Sequence, residues 1–184
     1  EVQVLAITDE EGGSGDAPVE RLAPPGLIRT GVNILSRATT GRLSLNECLY
    51  VSPTIRRSVA AACAAWPADL VVADMLRTSS LALGTGLPAI VDLDDLLSRR
   101  YKELADGRAE SATVLGYYAG SVPRIVRPLL ARVAAMLIGV EARLVARREA
   151  VVGRAAQGVS LVAEDEAAAF AARIGRPVAW LPMA

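Results

Sequence analysis

Histidine is absent from the 184 residues, aromatic side chains make up only 4% of them, and cysteine occurs twice, at Cys48 and Cys63. The first absence removes imidazole acid–base chemistry, Ser-His-Asp and Cys-His nucleophiles, and most zinc sites. Two cysteines make neither a ligand set nor a disulfide framework, and they read as reduced thiols of a cytoplasmic protein. Net charge is missing too. Twenty basic and twenty acidic residues cancel, so no global field favours nucleic acid or an anionic membrane. Long apolar runs are also lacking: Val133 to Val140 is bracketed by Arg132, Glu141 and Arg143, far short of the roughly 20 residues of a bilayer span.

What is present suits helices packed on a buried sheet. Hydrophobic residues make up 52% of a chain whose length fits one domain, residues 1–184. Glu1 to Thr8 (E-V-Q-V-L-A-I-T) reads as a strand, with no basic flank to suggest a signal peptide. Its abrupt start, with no cap or turn, leads us to expect preceding sequence. Asp9 to Pro25 is rich in glycine, proline and acid and reads as a flexible loop. Helical fragments follow at Gly26 to Ala38 and Ser44 to Leu49. Thr54 to Trp66 is an amphipathic helix with Ile55, Val59, Ala62 and Cys63 on one face, stopped by Pro67.

Ala68 to Asp74 (A-D-L-V-V-A-D) and Ala89 to Asp92 (A-I-V-D) are short apolar runs, each ending in an acid, with a helix over Met75 to Gly84 between them. Strand, helix, strand in so few residues is a βαβ unit, whose strands should be parallel and covered on both faces. Leu96 to Asp106 reads as helix and Gly107 to Ser121 as a polar connection. Pro123 to Gln157 is the longest helix. Val159 to Val162 and Val178 to Leu181 complete the strands, around a helix over Ala163 to Ile174 with acids in its first turn. The expected fold is α/β, a Rossmann-like open parallel sheet of at least five strands flanked by helices.

In such sheets ligands gather at the carboxyl ends of strands, where helix N-termini point. Two segments place polar side chains there. Asp74 to Ser80 includes Arg77, suited to hold a carboxylate or phosphate in two parallel hydrogen bonds, or to pair with Asp74. Asp92, Asp94 and Asp95 lead into a helix carrying Ser98 and Tyr101. These acids would cap that helix, accept from sugar hydroxyls, or hold a metal, although no second acid cluster matches them. Gly12-Gly13-Ser14-Gly15 lacks the spacing of a phosphate loop, and Ser79 and Ser80 lack a base. Arg124, Arg127, Arg132, Arg143, Arg147, Arg148 and Arg154 make the long helix basic. That pattern suits a solvated face or, alternatively, peripheral contact with an anionic membrane.

At these motifs a likeness emerges. V-D-L-D-D-L-L-S-R-R-Y (91–101), preceded by A-D-L-V-V-A-D-M-L-R (68–77) and G-R-L-S-L-N-E-C-L-Y (41–50), resembles the N-terminal domain of family-4 glycosyltransferases. The nearest likeness is to the bacterial exopolysaccharide and sugar-transferase branch. Glu141, Glu149, V-S-L-V-A-E-D-E and V-A-W-L-P continue it, so that it spans Arg29 to Pro182. Glu141 and Glu149 have the E-x7-E spacing of the family's donor half, but without that motif's Gly and Pro loop they read as helix surface and packing.

The resemblance implies one half of a GT-B architecture, in which two Rossmann-like halves face a cleft. This half would bind a sugar acceptor: a glycan, a lipid or a small molecule. The nucleotide-sugar donor would be a co-substrate held mainly by a C-terminal domain or a partner chain, with no metal or other cofactor here. The family's opening strand would precede Glu1. Transfer would retain anomeric configuration through an oxocarbenium-like state. Arg77, Asp92, Asp94, Asp95, Ser98 and Tyr101 would line the acceptor side and orient a hydroxyl. Family members carry a histidine at that edge and this chain has none, which leaves the catalytic residues unassigned. The implied location is the cytoplasm, including the inner membrane face, with no nucleic-acid partner. A non-catalytic Rossmann-like module that needs a partner chain, and a magnesium-dependent phosphotransferase using the aspartates, are the competing readings.

Overall fold

A computed structural model describes residues 2–7, 19–38, 40–66, 68–106 and 127–182, with backbone alone for Val19, Leu27 and residues 127–135. The protein is α/β, with parallel strands in two sheets flanked by helices, an arrangement compatible with a Rossmann-like fold. The first sheet pairs β1 (Val4–Ile7) with β2 (Val19–Leu22). The chain then forms α1 (Leu27–Asn33), a π-helical turn (Ile34–Ala38), α2 (Leu45–Cys48) and α3 (Pro53–Ala65). Next come β3 (Val71–Asp74), α4 (Met75–Ala82), a 3-10 turn (Leu83–Thr85) and β4 (Ala89–Asp92). The remaining elements are α5 (Leu97–Ala105), α6 (Arg127–Ala155), β5 (Gly158–Leu161), α7 (Glu164–Ile174) and β6 (Ala179–Trp180). The second sheet runs β3-β4-β5-β6, all parallel.

Local chemistry explains most boundaries. Ser44 and Glu47 form a reciprocal capping box around α2, and Ser52 caps α3 with Pro53 at its first position. Gly86 and Gly175 end their helices at φ 80 and φ 71, where a Cβ would be strained. β3 and β4 are four-residue apolar strands, and in parallel pairing such runs bury without alternation.

Three expectations need correction. β2 lies inside the stretch read as a loop: Leu22 is buried and draws its strand into the second core, a tertiary contact that overrides the glycine and proline around it. Residues 9–18 of that loop and the connection at 107–121 lie outside the described residues. The single sheet is two sheets, since among the described residues no strand joins β1 to β3. The third correction concerns cover. Ala73, Ala89, Val91, Val159 and Leu161 share one face and pack on α4, α5, α6 and α7, while Val72, Ile90 and Asp92 share the other, which carries no residue of either core cluster. Val72 is 62% exposed. The order β3-β4-β5-β6 steps in one direction only, and right-handed crossovers taken in one direction put every connecting helix on the same face.

The second core joins β1 and β2 to the helices before β3, through Leu22, Leu43, Cys48, Val51, Ile55 and Val59. Helix α4 lies between the cores, with Leu76 and Ala82 in one and Leu81 in the other. Carboxylates on and against α6 tie the parts together. Glu149, 1% exposed, accepts from Ser98 N at 2.9 Å, Ser98 Oγ at 2.6 Å and Arg173 Nη2 at 2.6 Å. Glu141 accepts from Leu45 N at 2.8 Å and Asn46 N at 2.9 Å, so it caps α2 from a distant helix. Glu47 takes a forked pair from Arg148 at 2.9 Å each. The E-x7-E glutamates are thus packing groups, as read, but buried rather than on the surface.

Glu149→Ala should therefore leave the two buried donors of Ser98 unpaired, while the exposed Arg173 turns to solvent, lowering stability by about 1–3 kcal/mol in urea unfolding. Burial pushes the Glu141 carboxyl above its ordinary value of 4.5, against the two amide bonds that draw it down. A raised folded value means that stability is fullest below the unfolded pKa and falls as pH rises through the folded one. The stability of the wild type relative to Glu141→Gln should accordingly decline from pH 4 towards neutrality, measured as paired melting curves.

Candidate functional site

The carboxyl ends of the strands make one polar row on the face that, among the described residues, carries no member of either core. Asp74 and Asp92 are register partners, and Asp92 pairs in turn with Ser160 of β5. Neighbouring strands stand about 4.8 Å apart, so two carboxylates and a hydroxyl line up across three strands. Ser160 is buried and donates to Asp92 Oδ1 at 3.0 Å, which fixes that carboxylate and leaves Oδ2 as an acceptor. Both strands leave the row by strained backbone. Met75 and Asp94 have φ 62, the non-glycine residues in the left-handed region among those described. Each such residue costs about 1–3 kcal/mol and persists only where its surroundings demand it. At Asp94 the demand is visible, because its carbonyl accepts from Val162 N at 2.9 Å and pins the turn to the end of β5.

Arg77, in the first turns of α4, stands over the ring of Tyr50 at 5.1 Å from its centroid, with Nη1 3.5 Å from the hydroxyl. Asp74 lies 3.8 Å from Nη2. These contacts are long for charge-assisted bonds, so the guanidinium is held in place yet has donors to spare. Tyr50 belongs to the half of the chain before β3, and its contact with Arg77 bridges the two cores. In doubly wound sheets the ligand crevice opens where strand order reverses. The four-stranded sheet has no reversal, which leaves the side of β3 facing β1 and β2 as the place for one.

The six residues expected at the site divide. Asp92 stands in the row and Asp94 in the turn that follows it, while Arg77 is placed against Asp74 and Tyr50. Ser98 is buried with both donors taken by Glu149. Tyr101 is half-buried against the first core, where burial raises its hydroxyl above the usual value and a side-chain bond with Asn46 opposes that. Asp95 pairs with Arg100 and keeps Oδ1 buried without a partner. It borders a cavity of about 300 Å³ with Arg99, Glu103, Asp165 and Glu166. There Arg99 is shared between acids: it reaches Asp165 at 3.1 Å and Glu166 at 3.3 Å, and its bond holds Asp165 below the usual carboxylate range.

The aspartates do not cap α5. Its N-cap is Leu96, with no side-chain cap, and carboxylates from elsewhere serve its amides: Glu166 at Leu96 N, 2.9 Å, and Glu149 at Ser98 N. Tyr50 and Ser160 were not singled out from sequence. The signal for Ser160 was a lone hydroxyl inside the apolar run V-S-L-V, and for Tyr50 a rare aromatic next to a capping box. Cys48 is fully buried, and burial, with Glu47 and Glu141 adding, pushes its thiol up to about 11, which makes it a packing group and not a nucleophile. Among the described residues no group of three or more His, Cys, Asp or Glu side chains is placed to hold a metal. None of the described helices is long and apolar enough to cross a membrane.

Asp94→Gly removes a left-handed penalty of about 1–2 kcal/mol against roughly 0.4–1 kcal/mol of added chain entropy. Its melting temperature should rise while any affinity that depends on the carboxylate falls. Comparison with known proteins is negative throughout: no family model, no curated protein and no solved structure matches this chain.

Proposed function

We propose that this chain is the acceptor-binding half of a retaining glycosyltransferase of GT-B architecture, acting in the cytoplasm on a glycan, lipid or small-molecule acceptor. The observation that carries the reading is the row Asp74, Asp92 and Ser160 at the strands' carboxyl ends, with Arg77 and Tyr50 next to Asp74. Adjacent carboxylates with free lone pairs suit the hydroxyls of a sugar or polyol, each a donor. Arg77 supplies donors to a ring or hydroxyl oxygen, and Tyr50 supplies an apolar face.

In this reading the chain orients and does not itself carry out the bond exchange. It contains no histidine, and its buried thiol is inert. The nucleotide-sugar donor comes from the opposite wall of the cleft, in a further domain or a partner chain. A hydroxyl held by Asp92 and aimed by Arg77 attacks the anomeric carbon as the sugar–phosphate bond breaks, its proton passes to the departing phosphate oxygen, and the departing nucleotide diphosphate is stabilised on the donor side. Alignment of this kind is worth about 7–11 kcal/mol in the best-oriented intramolecular reactions. Positioning alone is therefore a sufficient task for one wall.

Saturation-transfer NMR on this chain tests the proposal with glucose, mannose, galactose and UDP as probes. At least one sugar should show transfer that Asp92→Asn and Arg77→Ala reduce together, and UDP should show none. Transfer to UDP without transfer to any sugar would reverse the assignment of the two walls.

A further inference from the structure

Charge in this neutral chain is segregated. Between Glu20 and Asp69 the sequence carries six arginines and a single acid, Glu47, which is spent on Arg148 of α6. The fold brings two of the six together. Arg37 stands just before Ala38 in the π-helical turn, and Arg56 follows Ile55 on α3. Ala38 and Ile55 are buried in the same core, so both arginines emerge at its rim. The backbone holds Arg37 there, since its carbonyl accepts from Arg42 N at 2.8 Å, Leu43 N at 3.3 Å and Thr40 Oγ1 at 3.0 Å. Arg56 lies across the 3-10 turn, with Nη1 3.5 Å from where a Cβ on Gly84 would stand. Burial, and after it the charge of Arg37, draw the Arg56 guanidinium below its ordinary value.

Neither guanidinium has a hydrogen bond or an ion pair among the described residues. Other arginines show the contrast. Arg99, Arg100, Arg148 and Arg173 each have a carboxylate, and Arg176 donates to the carbonyls that end α6. Even Arg57, beside Arg56, donates to Pro53 O at 3.3 Å. A guanidinium stays protonated in a protein, so two of them held together without a carboxylate repel each other until an anion joins them. Arg29 adds to the excess of donors: one turn before Asn33 on the protein-facing side of α1, it keeps Nε buried and without a partner. The long helix adds little. Arg148 is committed to Glu47, Arg147 packs over Gly41, and Arg124 and the side chains of Arg127 and Arg132 lie outside the described residues.

We infer that Arg37 and Arg56 form a binding site for a phosphate group, in the crease between the π-helical turn, α3 and the 3-10 turn. A phosphate monoester suits the pair better than a carboxylate does. It carries close to two negative charges at neutral pH, and its three free oxygens can meet a fork from each arginine. The site is separate from the acceptor row. Gly84 and Arg77 stand at opposite ends of α4, about 10 Å apart along its axis, so the inference does not rest on the sugar-transfer reading.

Thermal unfolding of the 184-residue chain at constant ionic strength tests it. Inorganic phosphate should raise the melting temperature where sodium chloride does not. Arg37→Gln and Arg56→Gln should each weaken phosphate about tenfold, while Arg57→Gln, which removes the same charge one residue along α3, should leave its affinity unchanged. The phosphorus NMR resonance of phosphate should broaden with wild type and Arg57→Gln, and stay sharp with the other two. Without phosphate, neither Arg37→Gln nor Arg56→Gln should lower the melting temperature, a result that a purely structural role for the pair would not give. Glycerol phosphate should compete with inorganic phosphate if the natural ligand is a soluble ester. Sedimentation with vesicles of phosphatidic acid in phosphatidylcholine, lost in both variants, would name a lipid headgroup instead. An equal rise in wild type and both variants, or a rise in none, would overturn the inference. So would unfolding of either variant without phosphate, or equal weakening by Arg57→Gln, which would mark diffuse charge in place of a site.

Discussion

Three carboxylates nearly cut off from water, those of Glu47, Glu141 and Glu149, hold the helices of this protein to one another. A buried carboxylate is tolerable only when its lone pairs are filled. Here they are filled by the amides that open α2 and α5 and by the guanidinia of Arg148 and Arg173. The amide bonds satisfy helix N-termini that would otherwise stay open, and the guanidinium bonds neutralise buried charge at Glu47 and Glu149. The partners are far apart in the chain, Glu141 and Leu45 by 96 positions and Glu47 and Arg148 by 101. Helix α6 is thereby a strut on which the two cores are registered, and the position of Tyr50 against Arg77 follows from that registration.

The candidate site depends on the sheet as much as on the strut. Because β3, β4, β5 and β6 follow one another in a single direction, their helices crowd one face and leave the other with a row of polar strand ends. Asp74, Asp92 and Ser160 owe their alignment to register alone, since parallel pairing puts partner residues on the same face. The left-handed backbone at Met75 and Asp94 lies where the chain leaves the sheet, and at Asp94 the ladder before it and the bond from Val162 N hold the turn. The neighbouring cavity around Arg99 and Asp165 is richer in charge, but its arginines are already bound to carboxylates, Arg99 to Asp165 and Glu166 and Arg100 to Asp95.

Helix α1 obeys a different rule. Its Asn33 side chain is spent on the carbonyls of Cys48 and Val51, and with that face turned inward Ile28 and Val32 are left exposed. Overall neutrality conceals a segmental excess of arginine, four with no acid from Arg21 to Asn46. Charge counted over a whole chain says little about a patch whose size is close to the screening length.

The elements of this fold are local facts, and the sequence by itself determined them. β3 and β4 follow from four-residue apolar runs ending in Asp74 and Asp92, α3 from the spacing of Ile55, Val59 and Ala62 behind Ser52 and Pro53, and α7 from its acidic first turn and Gly175. Parallel α/β architecture follows from their alternation. Only the tertiary structure decided the rest. Leu22 became part of a strand because a core was waiting for it, although its neighbours are glycine, proline and acid. The aspartates after β4 left α5 uncapped because Glu149 and Glu166, distant in sequence, reached its amides first. Ser98 and Tyr101 went to packing, and Asp74, Tyr50 and Ser160 joined Asp92 and Arg77, because register and crossover direction bring together residues that no short window of sequence contains. Patterning acts over a few residues, whereas the filling of buried lone pairs and the choice of sheet face are settled between parts of the chain that meet only once it has folded.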